Sequence, residues 1–293
     1  MAVRTKAAEI FVGETCLPGV LRLPDGDGTA PGIVFTNGYA AYREMYDQMA
    51  IALCGAGYAT LQYDTRGTSG MGRGRFLCGT QWLEDASAAI GYLSAQAFVD
   101  SGRIALAGVS MGGAVTIMQG AADPRVKCLF AMAPVSTGWE LIRDPWLCSR
   151  GEEAWMAFWE RMLRDAERTA QGWPSELVPV EYAVGGRLEP GEEELRERQI
   201  HPDKVRMLPL ESVLNCCLYV DAASAVCRVQ KPIHIVHGMK DPTVPYSCSE
   251  TLFRRAASRY KKLTLLPEAG HVLPETECGT VTELALNWLG EYL

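Results

Sequence analysis

The sequence predicts an α/β fold, in which a mostly parallel sheet is covered by helices on both faces. Short apolar runs, which suit buried strands, alternate along the chain with longer segments whose apolar residues recur at helical spacing. With 293 residues, of which 48% are hydrophobic and 22% charged, the chain is long enough to bury a large core. Strands that are joined through helices pair in parallel, so the alternation itself indicates the class of sheet.

The first half of the chain contains most of the predicted elements. A continuous apolar run at 33–36 stops at the turn Asn37-Gly38, and Met45, Met49 and Leu53 then recur at helical spacing. These patterns predict strands at 10–12, 20–23, 33–36, 58–63, 103–107 and 127–133, and helices at 44–57, at 80–97 and directly after Ser110.

The alternation is interrupted after Pro134. Residues 139–228 are richer in charge and show helical periodicity, which predicts an inserted, mainly helical cap. Residues 1–138 and 229–293 then form the core domain. In its second part, strands are predicted at 232–237 and 262–266, and helices at 247–260 and 275–293.

Composition argues against several classes of function. The formal net charge is −7 and there is no long basic run, so nucleic acid is a poor partner. The first residues lack the apolar core of a signal peptide, and no window approaches the roughly 18 apolar residues of a membrane span. The ten cysteines show no disulfide framework or metal-ligand spacing. We therefore expect a cytoplasmic protein without a metal or cofactor and without membrane contact.

The segment from Gly108 to Gly113 contains the pattern G-x-S-x-G, centred on Ser110. The pattern alone is weak, but here an apolar strand leads into it and a helical pattern follows, which is the setting of a nucleophile elbow. Glycines are needed because neighbouring backbone approaches closely in such a turn. Ser110 is thus the predicted nucleophile, and the backbone N–H of Met111, at the helix start, is a predicted oxyanion donor.

A serine nucleophile needs a general base, and histidine has a suitable pKa. His271 follows the last predicted strand, where loops of open α/β sheets carry active sites, and it is the predicted base. Asp241 follows the preceding strand and is predicted to orient His271. The other histidines are predicted to be structural. They are His201, His234 and His237, of which His237 also lies near a strand end but has no separate acid beside it.

The order Ser110, Asp241, His271 and two further loops resemble the α/β-hydrolase superfamily. Tyr63-Asp64-Thr65-Arg66-Gly67-Thr68-Ser69-Gly70 is similar to its D-x-R-G-x-G-x-S loop, with Thr68 where glycine is usual, and His237-Gly238 with Asp241 is similar to its H-G-x-x-D acid loop. The resemblance covers nearly the whole chain outside the insertion and implies the α/β-hydrolase fold. Within the superfamily, the two glycines in Ser110-Met111-Gly112-Gly113 are similar to the pattern of members related to dienelactone hydrolases and prolyl oligopeptidases.

The resemblance also implies a second oxyanion donor in the turn after the third strand. This chain has Asn37-Gly38-Tyr39 where relatives often have His-Gly. Gly38 would let the backbone approach the substrate, and the N–H of Tyr39 would then be the donor. In relatives that resemble dipeptidyl peptidases and bacterial cocaine esterases a tyrosine hydroxyl has this role, so the phenol of Tyr39 is the alternative.

These residues predict a serine hydrolase that cleaves a carboxylic ester of a small to medium, partly apolar substrate through an acyl-enzyme. In the cap, Trp155 and Trp159 belong to an apolar face, most of which should pack in the core while the rest forms the pocket roof. The same machinery would serve an amide, thioester or carbon–carbon hydrolase, or a hydrolase-derived ligand receptor with little turnover. Another alternative makes the cap a homodimer interface.

Overall fold

A computed structural model of the chain describes residues 3–26, 28–66, 79–185 and 207–293. Its main feature is an eight-stranded sheet. The strands of this sheet are β1 (Val3–Val12), β2 (Thr15–Pro24), β3 (Ala30–Thr36), β4 (Ala59–Tyr63), β5 (Val99–Val109), β6 (Val126–Met132), β9 (Ile233–Gly238) and β10 (Lys261–Leu266). Two short strands, β7 (Leu177–Pro179) and β8 (Met207–Pro209), pair with each other outside it.

The spatial order of the sheet is β1-β2-β4-β3-β5-β6-β9-β10. β1 and β2 form an antiparallel hairpin, and β2 is antiparallel to β4. From β4 to β10 every neighbouring pair is parallel, so the carboxyl ends of six strands lie at one edge. The mostly parallel sheet that the alternation predicted is therefore confirmed.

Helices cover both faces of the sheet because the strands alternate buried side chains between two cores. Val34 packs in one core, and Ile33 and Phe35 pack in the other. The first core includes side chains of α2 (Thr80–Ser94), α3 (Met111–Ala122) and α8 (Ser247–Arg255). The second includes side chains of α1 (Asp47–Gly55) and α10 (Cys278–Tyr292).

The segment between β6 and β9 is mainly helical in its described residues. It contains α4 (Gly138–Ala170), α5 (Val180–Ala183), α6 (Leu210–Tyr219), α7 (Ala222–Ala225) and a 3₁₀ turn at Val226–Arg228. At Gly151 the backbone of α4 has φ of +80°, so the helix changes direction there. α4 packs tightly on α6, since a Cβ on Gly138 would lie 2.5 Å from the carbonyl carbon of Cys216. None of the described helices has the length and apolar character needed to cross a membrane.

Four predicted helices differ from the observed ones at their ends, and the one predicted at 80–97 ends at Ser94. The helix predicted at 44–57 begins as a 3₁₀ turn, Arg43–Tyr46. The helix predicted at 247–260 ends at Arg255, where the Ser258 hydroxyl bonds both backbone groups of Tyr260 and so competes with helical pairing. The last predicted helix is divided into α9 (Leu273–Thr276) and α10, because Glu277 has non-helical dihedral angles.

Candidate active site

Ser110 lies in the tight turn between β5 and α3, at the carboxyl edge of the sheet. Its φ of +58° and ψ of −122° are unusual for a residue with a side chain, and this conformation stores strain at the turn. Backbone hydrogen bonds hold it there: Ser110 N donates to Met132 O at 2.9 Å, and Ser110 O accepts from Ala114 N at 3.1 Å and Val135 N at 3.3 Å. The geometry is that of the predicted elbow.

The glycines on each side of Ser110 are required by close contacts between backbone segments. A Cβ on Gly108 would lie 2.6 Å from the carbonyl carbon of Gly112. A Cβ on Gly112 would overlap the carbonyl oxygen of Thr36 and lie 2.6 Å from that of Asn37. Real Cβ atoms do not approach other atoms so closely, so a side chain at either position would force the neighbouring backbone to shift.

Tyr46 joins the ends of the two strands that meet at the elbow. Its hydroxyl donates to Thr36 O of β3 at 2.8 Å and accepts from Val109 N of β5 at 2.9 Å. The Thr36 hydroxyl in turn donates to Gly112 O at 2.7 Å. Burial raises the pKa of Tyr46 well above its usual value, so the phenol keeps its proton. The sequence pattern placed Tyr46 in a helix and gave no sign of this contact.

His271 and Asp241 meet at the same edge of the sheet. His271 Nδ1 lies 2.6 Å from Asp241 Oδ2, and the two loops touch, since a Cβ on Gly238 would lie 2.6 Å from the carbonyl carbon of Ala269. A carboxylate oxygen accepts hydrogen bonds, so His271 carries its proton on Nδ1 and leaves Nε2 as the basic nitrogen. The acid and base predicted from the ends of two strands are thus brought together.

The Asp241 carboxylate is fully buried and surrounded by donors. Its Oδ1 accepts from the N–H groups of Thr243 and Val244, both at 2.8 Å, and its Oδ2 faces two imidazoles, those of His271 and His237. Burial by itself would raise the pKa of Asp241, but the attraction and hydrogen bonds of the two histidines outweigh it and hold the pKa below its usual range. Asp241 is therefore ionised at neutral pH.

His237 is closer to the site than the sequence indicated. Its Nε2 lies 3.1 Å from Asp241 Oδ2 and 2.9 Å from Val244 O, and its Nδ1 lies 2.6 Å from Ser249 Oγ. His237 is predicted to be structural because no separate acid lies beside it in the sequence, whereas in the structure it shares Asp241 with His271. A histidine four residues before the aspartate was the only signal of this in the sequence.

The turn after β3 lies beside Ser110. A Cβ on Gly38 would lie 3.6 Å from Ser110 Cβ and 3.5 Å from Val109 O, so this turn borders Ser110 as expected. Met111 is buried as the first residue of α3, where helical N–H groups have no partner within the helix. The phenol of Tyr39 lies 3.5 Å from Ser212 Oγ of α6. Ser212 was not singled out by sequence reasoning.

Trp155 and Trp159 belong to an aromatic cluster on α4. Their ring centroids are 5.9 Å apart, and both rings contact Trp139, at 5.8 Å and 4.9 Å. Trp155 is almost fully buried and is part of the core, while Trp159 is half-buried. The predicted apolar face therefore exists, and contact between these tryptophans and a substrate stays a prediction.

The loop after β4 is described only up to Arg66. Asp64 accepts from Arg43 N at 3.0 Å, and Arg66 pairs with the buried Asp85 at 2.5 Å. Thr68 and His201, which the sequence analysis considered, lie outside the described residues. Among the residues that are described, no group of three or more His, Cys, Asp and Glu side chains is arranged to hold a metal ion.

Comparison with protein families and curated sequences gives a match over most of the chain. Residues 29–277 match the family described as serine aminopeptidase, S33. An uncharacterized 31.7 kDa protein of the traX-finO intergenic region of Escherichia coli is 28% identical over 253 residues, which are 85% of this chain and 86% of that protein. Thiohydrolase apmlB of Arthrinium phaeospermum is 34% identical over 157 residues, 48% of this chain and 50% of its own length.

Comparison with solved structures shows the same fold. The α/β hydrolase GrgF from Penicillium sp. sh18 superimposes with a TM-score of 0.81 at 18% identity, over 100% of this chain and 99% of that one. At this level of identity the likeness concerns the fold. Together with the match to the family it identifies the α/β-hydrolase superfamily, as the motifs predicted.

Proposed function

Because this chain belongs to the serine aminopeptidase S33 family of α/β hydrolases, we propose that it is a serine hydrolase acting on a carboxylic ester. Ser110 is the nucleophile, His271 the base and Asp241 the acid that orients it. The observation that carries the proposal is the 2.6 Å hydrogen bond between His271 Nδ1 and Asp241 Oδ2 at the sheet edge where Ser110 lies in a strained turn. An elbow without a buried acid–base pair would be only a structural turn.

The reaction proceeds in two halves. His271 Nε2 takes the proton of Ser110 Oγ as the oxygen attacks the ester carbonyl, and a tetrahedral oxyanion forms. His271 then gives the proton to the alkoxide of the leaving alcohol, the C–O bond breaks and an acyl-enzyme remains. Water, deprotonated by His271, attacks the acyl carbon, and the proton returns to Ser110 as the carboxylic acid departs. Asp241 stabilises the imidazolium in both halves.

Two backbone N–H groups, those of Met111 and Tyr39, stabilise the oxyanion in this proposal. Met111 is the first residue of α3, where the helix dipole also favours negative charge. For Tyr39 we favour the N–H over the phenol, because the phenol lies at Ser212 and Gly38 brings the backbone beside Ser110. Tyr39→Phe removes the phenol hydroxyl but keeps the N–H, so turnover should stay within about threefold of wild type. Loss of a group that does donate to the oxyanion would lower kcat by about 10²–10³-fold.

We assign residues 139–228 to a cap over this site and the rest of the chain to the core domain. The contact between Tyr39 and Ser212 supports the assignment because it joins the turn after β3 to α6. Ser110 and His271 are each less than a tenth exposed, which supports a site that lies beneath a cap. An apolar face on α4, which includes Trp155 and Trp159, favours a small to medium, partly apolar acyl or alcohol group.

A thioester is the second candidate substrate. A relative that is 34% identical over about half of each chain is named thiohydrolase apmlB. In this chain the same serine mechanism would cleave a thioester. A thiolate leaves more readily than an alkoxide, so proton donation by His271 would matter less to the first half of the reaction.

The test compares turnover of p-nitrophenyl esters of graded chain length with amide and thioester analogues. We expect Ser110-dependent hydrolysis of short and medium esters, with a loss of about 10⁴-fold or more in Ser110→Ala. A fluorophosphonate should label Ser110 stoichiometrically, and His271→Ala should abolish the labelling. Ser94→Ala, whose hydroxyl lies on α2 away from the site, is the control and should retain wild-type rates.

Two results would contradict the proposal. If no acyl substrate shows Ser110-dependent turnover and Ser110 is not labelled, the chain is not a serine hydrolase. Binding of an acyl ligand without labelling would favour the receptor alternative.

A further inference from the structure

Asp241 carries a second histidine that the proposed triad does not use. His237 is fully buried, and three polar atoms lie within hydrogen-bond distance of its ring: Asp241 Oδ2 at 3.1 Å, Val244 O at 2.9 Å and Ser249 Oγ at 2.6 Å. Ser249 is itself fully buried. A buried histidine that only fills space would not need three polar partners, one of which is the predicted catalytic acid.

The contacts fix the proton on the ring of His237. Both atoms that face Nε2, a carboxylate oxygen and a backbone carbonyl oxygen, only accept hydrogen bonds. Nε2 therefore carries hydrogen and shares it between Asp241 and Val244. The hydroxyl of Ser249 then donates to Nδ1 in the neutral ring, which polarises the ring and strengthens the Nε2–H donor.

Four donors surround the Asp241 carboxylate. Thr243 N and Val244 N bond one oxygen, and His271 and His237 bond the other, so the four favoured acceptor positions are filled. The Asp241 side chain is 0% exposed, so bulk water does not reach its carboxylate in the folded protein. Without His237, one side of the oxygen that faces His271 would have no donor.

We propose that His237 is a positioning residue that holds Asp241 Oδ2 in place. Through the hydrogen bonds that run from Ser249 to His237 to Asp241, it also lowers the basicity of this oxygen toward the His271 proton. The proposal rests on the proposed function, in which Asp241 orients His271. An N–H donor that withdraws electron density from a carboxylate makes it a weaker base. Removal of that donor should therefore let Asp241 hold the imidazolium of His271 more strongly, and His271 should keep its proton to higher pH.

Other titratable groups lie near this corner of the molecule. On the α8 side, Cys248 lies against Glu140 of α4 at 3.5 Å. On the other side of the His271 loop, the negative charge of Glu275 contributes to the raised pKa of Tyr46. None of these groups is altered in the variants below, so a shift in His271 can be assigned to the chain through His237.

The experiment is a titration of the histidine ring resonances by NMR in the resting protein, which has four histidines in all. In His237→Phe, which keeps a ring but has no donor, we expect the pKa of His271 to rise by about half to one unit. In His237→Gln, whose amide nitrogen reaches the position of Nε2, it should return to within about 0.2 units of wild type. If His237→Phe folds and the pKa of His271 is unchanged or lower, the proposal is wrong.

Two further variants keep the test decisive. His234→Phe is the control, because His234 is a buried histidine in the same strand that bonds Thr264 instead of the acid, and it should not move the pKa of His271. Ser249→Ala keeps the imidazole and removes only the outer donor, so it should raise the pKa of His271 by a few tenths of a unit. If His237→Phe does not fold, an unchanged His271 pKa in Ser249→Ala overturns the proposal.

Kinetics provide a second readout that can be separated from the first. The acid limb of kcat/KM should move to higher pH with the pKa of His271, and kcat should fall on the order of tenfold in His237→Phe while KM stays within about twofold. The NMR titration needs no turnover. A chain that shows the His271 shift but no Ser110 labelling would therefore uphold the role of His237 and reject the hydrolase.

Discussion

Different kinds of contact hold the elbow at Ser110 and the tryptophan cluster of α4, which consists of Trp139, Trp155 and Trp159. At the elbow, backbone meets backbone at Gly108 and Gly112, and the Tyr46 hydroxyl bridges two strand ends. In the cluster, Trp159 contacts Trp139 and Trp155 through tilted rings whose centroids are 4.9 Å and 5.9 Å apart. Directional hydrogen bonds and close backbone contacts restrict the elbow to one geometry. Packed rings can adopt many arrangements of similar energy.

This difference matches the two tasks of a hydrolase. In the proposed function, the reacting groups at the elbow have to keep positions within a fraction of an ångström, and the tryptophan face has to suit one substrate among many. Substitutions at the elbow should therefore act on folding and on kcat. Substitutions in the cluster should act mainly on KM.

The largest effect is expected for Gly112→Ala. The new Cβ would overlap backbone atoms of Thr36 and Asn37, which cannot move without breaking the end of β3. We expect a loss of at least about 4 kcal/mol in the free energy of unfolding, measured by urea denaturation, and no fluorophosphonate labelling. Gly279→Ala is the control: it lies in α10 with open space around it, and should stabilise by about 0.5–1 kcal/mol. A folded, active Gly112→Ala would contradict the steric argument.

A smaller effect is expected for Tyr46→Phe. The ring still stacks on Phe35, but Val109 N and Thr36 O lose their partner, which should cost about 1–3 kcal/mol of unfolding free energy and lower kcat with little change in KM. Tyr63→Phe is the matched control, since this tyrosine is also fully buried and its hydroxyl has no hydrogen-bond partner among the described residues. Tyr63→Phe should leave the free energy of unfolding unchanged or raise it slightly. Equal losses in the two variants would mean that the Tyr46 bridge has no special role.

The smallest effect on stability is expected for Trp159→Ala. Trp159 is half-buried, so truncation should cost about 1–2 kcal/mol, while KM for medium-chain esters should change severalfold at nearly constant kcat. Trp173→Ala, in the same segment but 62% exposed, should change neither quantity. If Trp159→Ala lowers kcat as Tyr46→Phe does, the contrast between the two regions fails.

The parts of the molecule that could be predicted from the sequence are those that depend on local pattern. The class of sheet follows from alternating periodicity, the elbow from glycines between a strand and a helix, and the meeting of Asp241 with His271 from strand ends at one edge. Each of these needs only the order of elements and the chemistry of residues near their ends.

The contacts that could not be predicted depend on side chains that reach between distant elements. Tyr46 fitted a helical pattern, and its hydroxyl acquires its role only because β3 and β5 end side by side. His237 was separated from the site since proximity in sequence to Asp241 does not reveal the direction of its ring. Ser212 lies on α6, 173 positions after Tyr39, and no local pattern predicts that the two side chains meet.

The bend of α4 at Gly151 has an evolutionary consequence. The helix before the bend is fixed to α6 through Gly138, and the helix after it carries Trp155 and Trp159. A residue gained or lost near the bend would turn the second part about its own axis and present different side chains, while the first part and the elbow stayed in place. If Trp155 and Trp159 line the substrate pocket as proposed, relatives with the same sheet edge would differ in substrate through the length of a single helix.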